Sequence, residues 1–273
     1  MNKKISVFGV GNVGRDALNC MNEAGIEDVE FVNAENDEDS LKNFIEFSNL
    51  VFIITSLSLD EDIEITLKIA QIAKNLGVLA IPAVIKPFGL EAGAGRRMNL
   101  DKNALEVLKK ISGSVLLLET DKILRINPNV NISMKNLSEV YKKVNEILCY
   151  SLQGIIDVFT KSGFVNLDFE DIKEFFTASS GVISFGIGEG EGNERAEKAA
   201  ENAIKYPLLN IPVESAKKIL LNVTTGTEIM LSEMADATMV IEETAQPEAE
   251  VIWGHVIDEK LGDKVRAILY VAS

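Results

Sequence analysis

The sequence has few of the side chains on which most catalytic and metal-binding sites depend. It contains one histidine, His255, and two cysteines, Cys20 and Cys149, in 273 residues. A catalytic triad or a histidine-based metal site would have to be built around His255 alone. Its position in a predicted strand favours an ordinary packed or edge residue. The cysteines lie far apart in sequence, within predicted helices, so neither a disulfide framework nor a resident metal is expected.

Positive charge and long apolar runs are also scarce. The chain has 27 Lys and Arg residues against 42 Asp and Glu, a formal charge of −15 at pH 7. This charge would repel nucleic acid and anionic membrane surfaces, so neither is expected as a partner. No apolar run reaches the roughly 20 residues that span a bilayer. The first residues lead into a predicted strand and do not resemble a signal peptide, so we expect a cytoplasmic protein.

The first half of the chain alternates buried strands with amphipathic helices. Strands are predicted at 4–10, 29–32, 50–55, 79–84 and 115–119. Helices are predicted at 12–24, 39–47, 64–76 and 104–111. This alternation predicts an α/β fold, with a parallel-sheet, Rossmann-like domain of the nucleotide-binding type.

The second half follows a different pattern. Apolar residues at helical spacing predict a long central helix that begins at Met134 or Leu137 and ends at Thr160. A smaller α+β domain is predicted next, with helices at 168–177, 193–206 and 231–243 and strands at 181–188, 219–224, 251–257 and 265–271. We expect the last two strands to pair and the glycine-rich stretch 186–192 to form a surface loop. The predicted division of the chain is 1–133, 134–162 and 163–273.

Three glycines open the first predicted helix in the pattern G-x-G-x-x-G. Gly9, Gly11 and Gly14 follow a buried strand, and Glu35 stands about twenty positions later. In a dinucleotide-binding fingerprint, such glycines let amides approach a pyrophosphate while the carboxylate holds a ribose. Read alone, the motif fits an NAD-type cofactor, another nucleotide, or glycines that only permit tight packing of helix on strand.

The turn after the third predicted strand is acidic where a phosphate loop would carry glycine. Asp60, Glu61 and Asp62 are consecutive, and positions 56–63 contain neither glycine nor lysine. A phosphate at a helix N-terminus needs free amides and room for close approach, which glycine supplies. The three carboxylates instead satisfy the helix dipole with the protein's own charge.

Two aspartates stand at the start of a helix in the second half. Asp168 and Asp171 lie three residues apart in the segment GFVNLDFEDI, at 163–172. Asp168 suits a helix cap and Asp171 a first-turn acid, which is a purely structural explanation. The same spacing places both carboxylates on one helical face, where they could polarise a water molecule.

This segment resembles the catalytic loop of FtsZ, the bacterial and archaeal tubulin homologue that forms the division ring. The resemblance continues through NERAEKAA at 193–200 and WGHVIDEKLGD at 253–263, and it extends back to the first glycine loop. It therefore covers nearly the whole chain and implies a tubulin/FtsZ-like fold with a cytoskeletal or cell-division role. In FtsZ filaments this loop inserts into the GTP pocket of a neighbouring subunit and completes its hydrolytic site. The resemblance thus implies a catalytic role for Asp168, Asp171 and Asn166.

The resemblance also implies a nucleotide side. Gly9, Gly11 and Gly14 match the first glycine loop of the family. Arg97, or the neighbouring Arg96, matches its sugar-side arginine, and Glu146 stands where guanine meets an aspartate.

The departures from the family cluster on that nucleotide side. The seven positions of the tubulin signature GGGTGTG fall on 58–64, and none is retained. Asn12, Val13 and Arg15 stand where the first loop has glycine, and Thr120 replaces an asparagine on the base side. The resemblance therefore implies a degenerate GTP site, so no cofactor is expected, with GTP as the alternative.

Three functions stay open from the sequence. The first is an FtsZ-like protein that assembles without nucleotide or caps and modulates a genuine FtsZ through head-to-tail contacts. The second is a polymerising GTPase whose site is shared between subunits, and the third is an NAD-type dinucleotide-binding module. The family's linker and tether-binding peptide have no counterpart before Ser273, so we expect no direct membrane contact.

Overall fold

The computed structural model describes residues 4–56, 59–86, 96–122, 137–161, 163–179 and 181–273. The chain forms two compact units, Met1–Tyr150 with Ser180–Val182, and Ser151–Ser179 with Ile183–Ser273. Within the described residues, no helix combines the length and the apolar character needed to cross a bilayer. The predicted three-part division of the chain stays a prediction.

In its described residues, the first unit has five parallel strands in the order β2-β1-β3-β4-β5. The strands are β1 (Ile5–Val10), β2 (Val29–Ala34), β3 (Leu50–Ser56), β4 (Leu79–Lys86) and β5 (Val115–Glu119). The helices between them are α1 (Gly11–Glu23), α2 (Glu38–Glu46), α3 (Asp60–Leu76) and α4 (Arg96–Ser112). The predicted α/β fold with a parallel sheet is confirmed.

The helix α3 begins earlier than its apolar pattern predicts. Its apolar face, which includes Ile65, Ile69 and Ala73, is buried in the core of the first unit. The prediction placed its start at Glu64, but the helix begins at Asp60. Acidic residues stabilise the first turn of a helix, so the acidic turn is part of the helix itself.

The central helix α5 spans Leu137–Thr160, and the alternative predicted start at Met134 lies outside the described residues. Its buried stripe includes Val144, Leu148, Leu152 and Ile156. These residues recur at helical spacing, which is why the sequence predicted this element closely.

Where the structure describes it, the second unit combines a mixed sheet with the end of α5 and three further α-helices. Its strands β6 (Val182–Gly190), β7 (Lys218–Thr225), β8 (Glu250–Ile257) and β9 (Val265–Ala272) lie in the order β6-β9-β7-β8. The helices are α6 (Phe169–Ala178), α7 (Arg195–Ile204) and α8 (Leu231–Thr244). Strand β9 runs antiparallel to β6 and β7, whereas β7 and β8 are parallel.

The predicted pairing of the last two strands is wrong. Strand β8 pairs with β7, with Val223 opposite His255, and β7 separates β8 from β9. Parallel neighbours need a long crossover connection, and α8 supplies it between β7 and β8. The last two strands, β8 and β9, are consecutive in the sequence but are not neighbours in the sheet.

The prediction of a surface loop at 186–192 is also wrong, because β6 continues to Gly190. A Cβ atom on Gly186, Gly188 or Gly190 would lie 1.8–2.0 Å from a carbonyl oxygen of residues 195–203 in α7. The glycines alternate along one face of the strand, and they let the backbone of α7 lie directly on it. The composition typical of a loop here serves a close approach of helix and strand.

Candidate functional site

Two of the three fingerprint glycines are required by packing. A Cβ atom on Gly9 would lie 2.7 Å from the carbonyl oxygen of Gly14, and one on Gly14 would lie 2.6 Å from the carbonyl oxygen of Ile54. Helix α1 therefore approaches β1 and β3 too closely for any larger side chain. This geometry accounts for Gly9 and Gly14 without a ligand.

Gly11, the remaining glycine of the motif, is covered by a carboxylate. Its φ of +68° is in the left-handed region, and a Cβ atom there would lie 2.3 and 2.5 Å from the two carboxylate oxygens of Asp62. Asp62 is 7% exposed, whereas Asp60 and Glu61 of the same turn are exposed. The carboxylate of Asp62 thus lies at the first residue of α1, where a helix N-terminus would receive an anion.

The environment of Asp62 opposes its own charge. Burial raises the pKa of its carboxyl group, and the adjacent carboxylate of Glu61 raises it further. A second anion at this position would add to that repulsion. The turn formed by residues 9–14, called the glycine turn below, is therefore covered at Gly11 by the carboxylate of Asp62.

A cleft of about 410 Å³ lies beside the glycine turn, between α1 and α5. It is lined by Val13, Asp16, Asn19, Cys20, Glu23, Tyr141, Lys142 and Asn145. Asn145 is 7% exposed, and its Oδ1 has no hydrogen-bond partner among the residues that the structure describes. This buried acceptor and the volume of the cleft suit a small molecule that carries a hydrogen-bond donor.

The remaining residues of the predicted nucleotide side have separate environments. Glu146 forms an ion pair with Lys143 at 2.9 Å. Thr120 is buried, and its hydroxyl donates to the carbonyl oxygen of Lys86 at 2.8 Å. Arg97 lies in the first turn of α4, and its side chain is outside the described part of the chain.

The structure brings the two cysteines together, which the sequence did not indicate. Both are free thiols, Cys20 on α1 and Cys149 on α5. Burial and a hydrogen bond with Cys20 raise the pKa of the Cys149 thiol. Their separation along the chain gives no signal of this contact, because it depends on how α1 and α5 pack.

The aspartate loop, residues 163–171, begins α6 with a reciprocal capping box. The Asp171 N–H donates to Asp168 Oδ1 at 3.0 Å, and the Asp168 N–H donates to Asp171 Oδ2 at 3.0 Å. The structural prediction of a cap and a first-turn acid is confirmed. Both aspartates are exposed, so their second carboxylate oxygens remain accessible to a partner.

Asn166 closes the turn that precedes these aspartates. Its Oδ1 accepts from the Gly163 N–H at 3.0 Å, and its Nδ2 donates to the Gly163 carbonyl oxygen at 3.1 Å. The side chain thus makes two bonds to the backbone of one residue. Its role in this structure is to fix the shape of the loop.

His255 lies directly beneath the start of the aspartate loop. It is 1% exposed, so of the two predicted alternatives, a packed or an edge residue, the structure shows the packed one. Its Nδ1 accepts from the Phe164 N–H at 3.1 Å, and its backbone N–H donates to the carbonyl oxygen of Val165 at 2.8 Å. Nothing in the sequence pattern indicated this role, because β8 and the loop lie about ninety residues apart.

Comparison with known proteins places this geometry in a family. Residues 181–273 match the model of the FtsZ family, C-terminal domain. Cell division protein FtsZ 1 of Thermococcus kodakarensis is 30% identical, over 99% of this chain and 80% of its own length. The chain belongs to the FtsZ family. The resemblance seen in the sequence is therefore confirmed.

Solved structures agree with this assignment. An FtsZ dimer of M. jannaschii superimposes with a TM-score of 0.86 at 25% identity, covering 99% of this chain and 88% of that one. CetZ2 of Haloferax volcanii, described as a GTPγS-bound protofilament, has a TM-score of 0.73 at 15% identity and covers 98% of this chain and 92% of its own. The fold class predicted from the sequence, tubulin/FtsZ-like, is thereby confirmed.

Proposed function

We propose that this FtsZ-family protein caps filaments of a genuine FtsZ, docking through its aspartate loop without binding GTP at its own glycine turn. The contact between Asp62 and Gly11 carries this proposal. It closes the turn from within the chain, while the aspartate loop keeps an ordered and exposed geometry.

The electrostatic part of the block is large. A carboxylate about 4 Å from one phosphate charge costs roughly 4 kcal/mol at an effective dielectric of 20, which weakens binding about a thousandfold. Each lost amide contact to a charged phosphate removes about 1.5–3 kcal/mol more. These terms together exceed the binding energy of a micromolar ligand, about 8 kcal/mol, once three or more contacts are lost.

The aspartate loop supports the docking half of the proposal. Its shape is set by the capping box of Asp168 and Asp171 and by the two bonds of Asn166, so little ordering is needed on binding. A subunit with one competent face and one blocked face ends a head-to-tail chain, because the next subunit finds no site.

The cleft between α1 and α5 favours a second candidate, an active GTPase of the FtsZ family. Its volume would admit a base, and the unpaired Oδ1 of Asn145 offers an acceptor. Phosphate release that rises with protein concentration and falls in Asp171→Asn would support this candidate.

Calorimetry with GTP and with guanosine separates the two candidates. The capping proposal predicts no GTP binding, whereas micromolar GTP affinity at neutral pH contradicts it. Guanosine binding without GTP binding would indicate that only the phosphate side is closed.

Sedimentation of a genuine FtsZ with GTP tests capping itself. Substoichiometric amounts of this protein should reduce the pelleted filament mass, and Asp171→Asn should reduce this effect. Pelleting of the protein alone without nucleotide would instead indicate nucleotide-independent assembly, and an unchanged FtsZ pellet would contradict capping.

A further inference from the structure

The start of the aspartate loop is held by His255 through contacts on three sides. The imidazole Nδ1 accepts from the Phe164 N–H, and the Phe164 ring stacks on the imidazole with centroids 5.3 Å apart and an interplanar angle of 25°. A Cβ atom on Gly163 would lie 1.8 Å from the carbonyl oxygen of His255. The loop therefore lies directly on β8 at this residue.

The hydrogen bonds define the protonation state of the imidazole. A backbone N–H can only donate, so Nδ1 carries no proton and the ring proton is on Nε2. Nε2 then donates to Thr225 Oγ1 at 2.9 Å, and the Thr225 hydroxyl donates to the carbonyl oxygen of Gly226 at 2.8 Å. Every donor in this series has an acceptor only when His255 is neutral.

Protonation would break the contact with the loop. An imidazolium has N–H groups on both nitrogens, so Nδ1–H would point at the Phe164 N–H and the two donors would have to separate. Asn166 joins only to Gly163, within the same turn, and offers no replacement anchor on β8. The bond from the backbone N–H of His255 to the carbonyl oxygen of Val165 does not depend on the imidazole, so the release concerns Gly163 and Phe164 at the start of the loop.

We infer that His255 is a positioning residue, which holds the start of the aspartate loop, at Gly163 and Phe164, in its docking geometry when neutral and releases it when protonated on Nδ1. The inference concerns the residue that orders the loop, and its consequence for filaments rests on the proposed capping function. Phe164, 60% exposed, would move with the loop because its ring rests on the imidazole.

The ionisable side chains on the neighbouring segments leave the imidazole largely unaffected. At the end of α5, Asp157 forms an ion pair with Lys161 at 3.1 Å. Burial raises the pKa of Asp157, and the carboxylate of Asp258, after β8, raises it further. Asp168 and Asp171 bond to each other's backbone.

The pH range of the release follows from burial. Burial lowers the pKa of His255 below its ordinary value of 6.5. The neutral form, and the stability that it contributes, is present above pH 6.5 and is lost as the pH falls through the folded-state pKa. The loop is thus held at neutral pH and released only in acid.

NMR of the intact protein tests the inference directly. His255 is the only histidine, so ¹⁵N signals of its imidazole are unambiguous. At neutral pH we expect protonation on Nε2 alone. On acidification, protonation of Nδ1 should coincide with at least about a tenfold loss of hydrogen-exchange protection at the Phe164 amide, corrected for intrinsic rates. The Ile172 amide in α6 serves as the internal control.

Two variants separate positioning from simple packing. His255→Asn places an amide oxygen at the position of Nδ1 but cannot take up a proton, so protection at Phe164 should persist in acid. His255→Leu has no acceptor and should lose protection at every pH. The wild-type titration needs neither variant, so misfolding of the leucine variant leaves the test intact.

A filament assay connects the loop to docking. The wild-type protein should shorten genuine FtsZ filaments at neutral pH and lose this effect as His255 protonates, while His255→Asn keeps it. Imidazole protonation without loss of Phe164 protection, or Nδ1 protonated at neutral pH, overturns the inference. If Phe164 loses protection in acid but the wild type and His255→Asn shorten filaments equally at every pH, the link between the loop and docking is overturned. If the wild type has no effect on filaments at any pH, the capping function is overturned separately.

Discussion

Replacing Asp62 should open the glycine turn to phosphates, and the exposed Asp60 provides the matched control. Asp62→Ala removes both the charge and the volume that cover Gly11, whereas Asp60→Ala makes the same change in charge on the surface of the same helix turn. Asp62→Asn removes the charge and keeps the volume. Comparison of the three variants separates repulsion from steric exclusion.

The expected size of the effect follows from the geometry. The carboxylate oxygens would lie 2.3 and 2.5 Å from a Cβ atom on Gly11, so a phosphate cannot share that position. A phosphate displaced to about 4 Å still loses roughly 4 kcal/mol per charge at an effective dielectric of 20. We expect Asp62→Ala to bind tripolyphosphate at least about a hundredfold more tightly than the wild type, with Asp62→Asn intermediate.

Isothermal calorimetry with tripolyphosphate measures this series. Asp60→Ala should match the wild type, because solvent and salt screen an exposed charge. The reasoning is refuted if Asp60→Ala and Asp62→Ala gain equally in affinity for tripolyphosphate, or if the wild type already binds this anion tightly.

Three further predictions concern packing, capping and thiol reactivity. Gly188→Ala should lower the free energy of unfolding by about 2 kcal/mol or more, measured by denaturant titration, since its Cβ would overlap the backbone of α7. Asp168→Ala and Asp171→Ala should each cost about 1 kcal/mol of stability, and the double variant less than the sum, since each aspartate caps the other's backbone. Alkylation followed by mass spectrometry should label Cys20 before Cys149, because burial raises the pKa of the Cys149 thiol.

Each of these predictions has a contrasting outcome. Gly192 has a positive φ of 73° but open space around its Cβ position, so Gly192→Ala should cost only about 1 kcal/mol of backbone strain. If Gly188→Ala lowered the free energy of unfolding no more than Gly192→Ala does, this would contradict the close approach of α7 to β6. Additive losses at Asp168 and Asp171 would show that the two caps act independently, and faster labelling of Cys149 would contradict its burial.

The parts of the fold that depend on periodicity were predictable from the sequence. The continuous apolar runs of β1 and β3 and the helical stripe of α5 reflect burial that is already visible in residue order. The Asp168–Asp171 spacing predicted a helix start because a capping box needs only local geometry. Interactions within a few residues are therefore recoverable from the sequence.

The rest depended on contacts between distant segments. The sequence identified three acids at 60–62, but the start of α3 decides that Asp62 alone faces Gly11. Packing between distant elements likewise brings the thiols of Cys20 and Cys149 into contact. It also places His255 where it binds the start of the aspartate loop. Alternating glycines in β6 predicted a loop because composition does not reveal the helix that lies on them.

The most direct test of capping is the position of the protein on single filaments. A fluorescently labelled form should be added in substoichiometric amounts to genuine FtsZ filaments grown with GTP. Capping predicts label at one end of each filament and a shorter mean length, with little end label for Asp171→Asn. Label distributed along the filaments, or absent from both ends, would contradict the account.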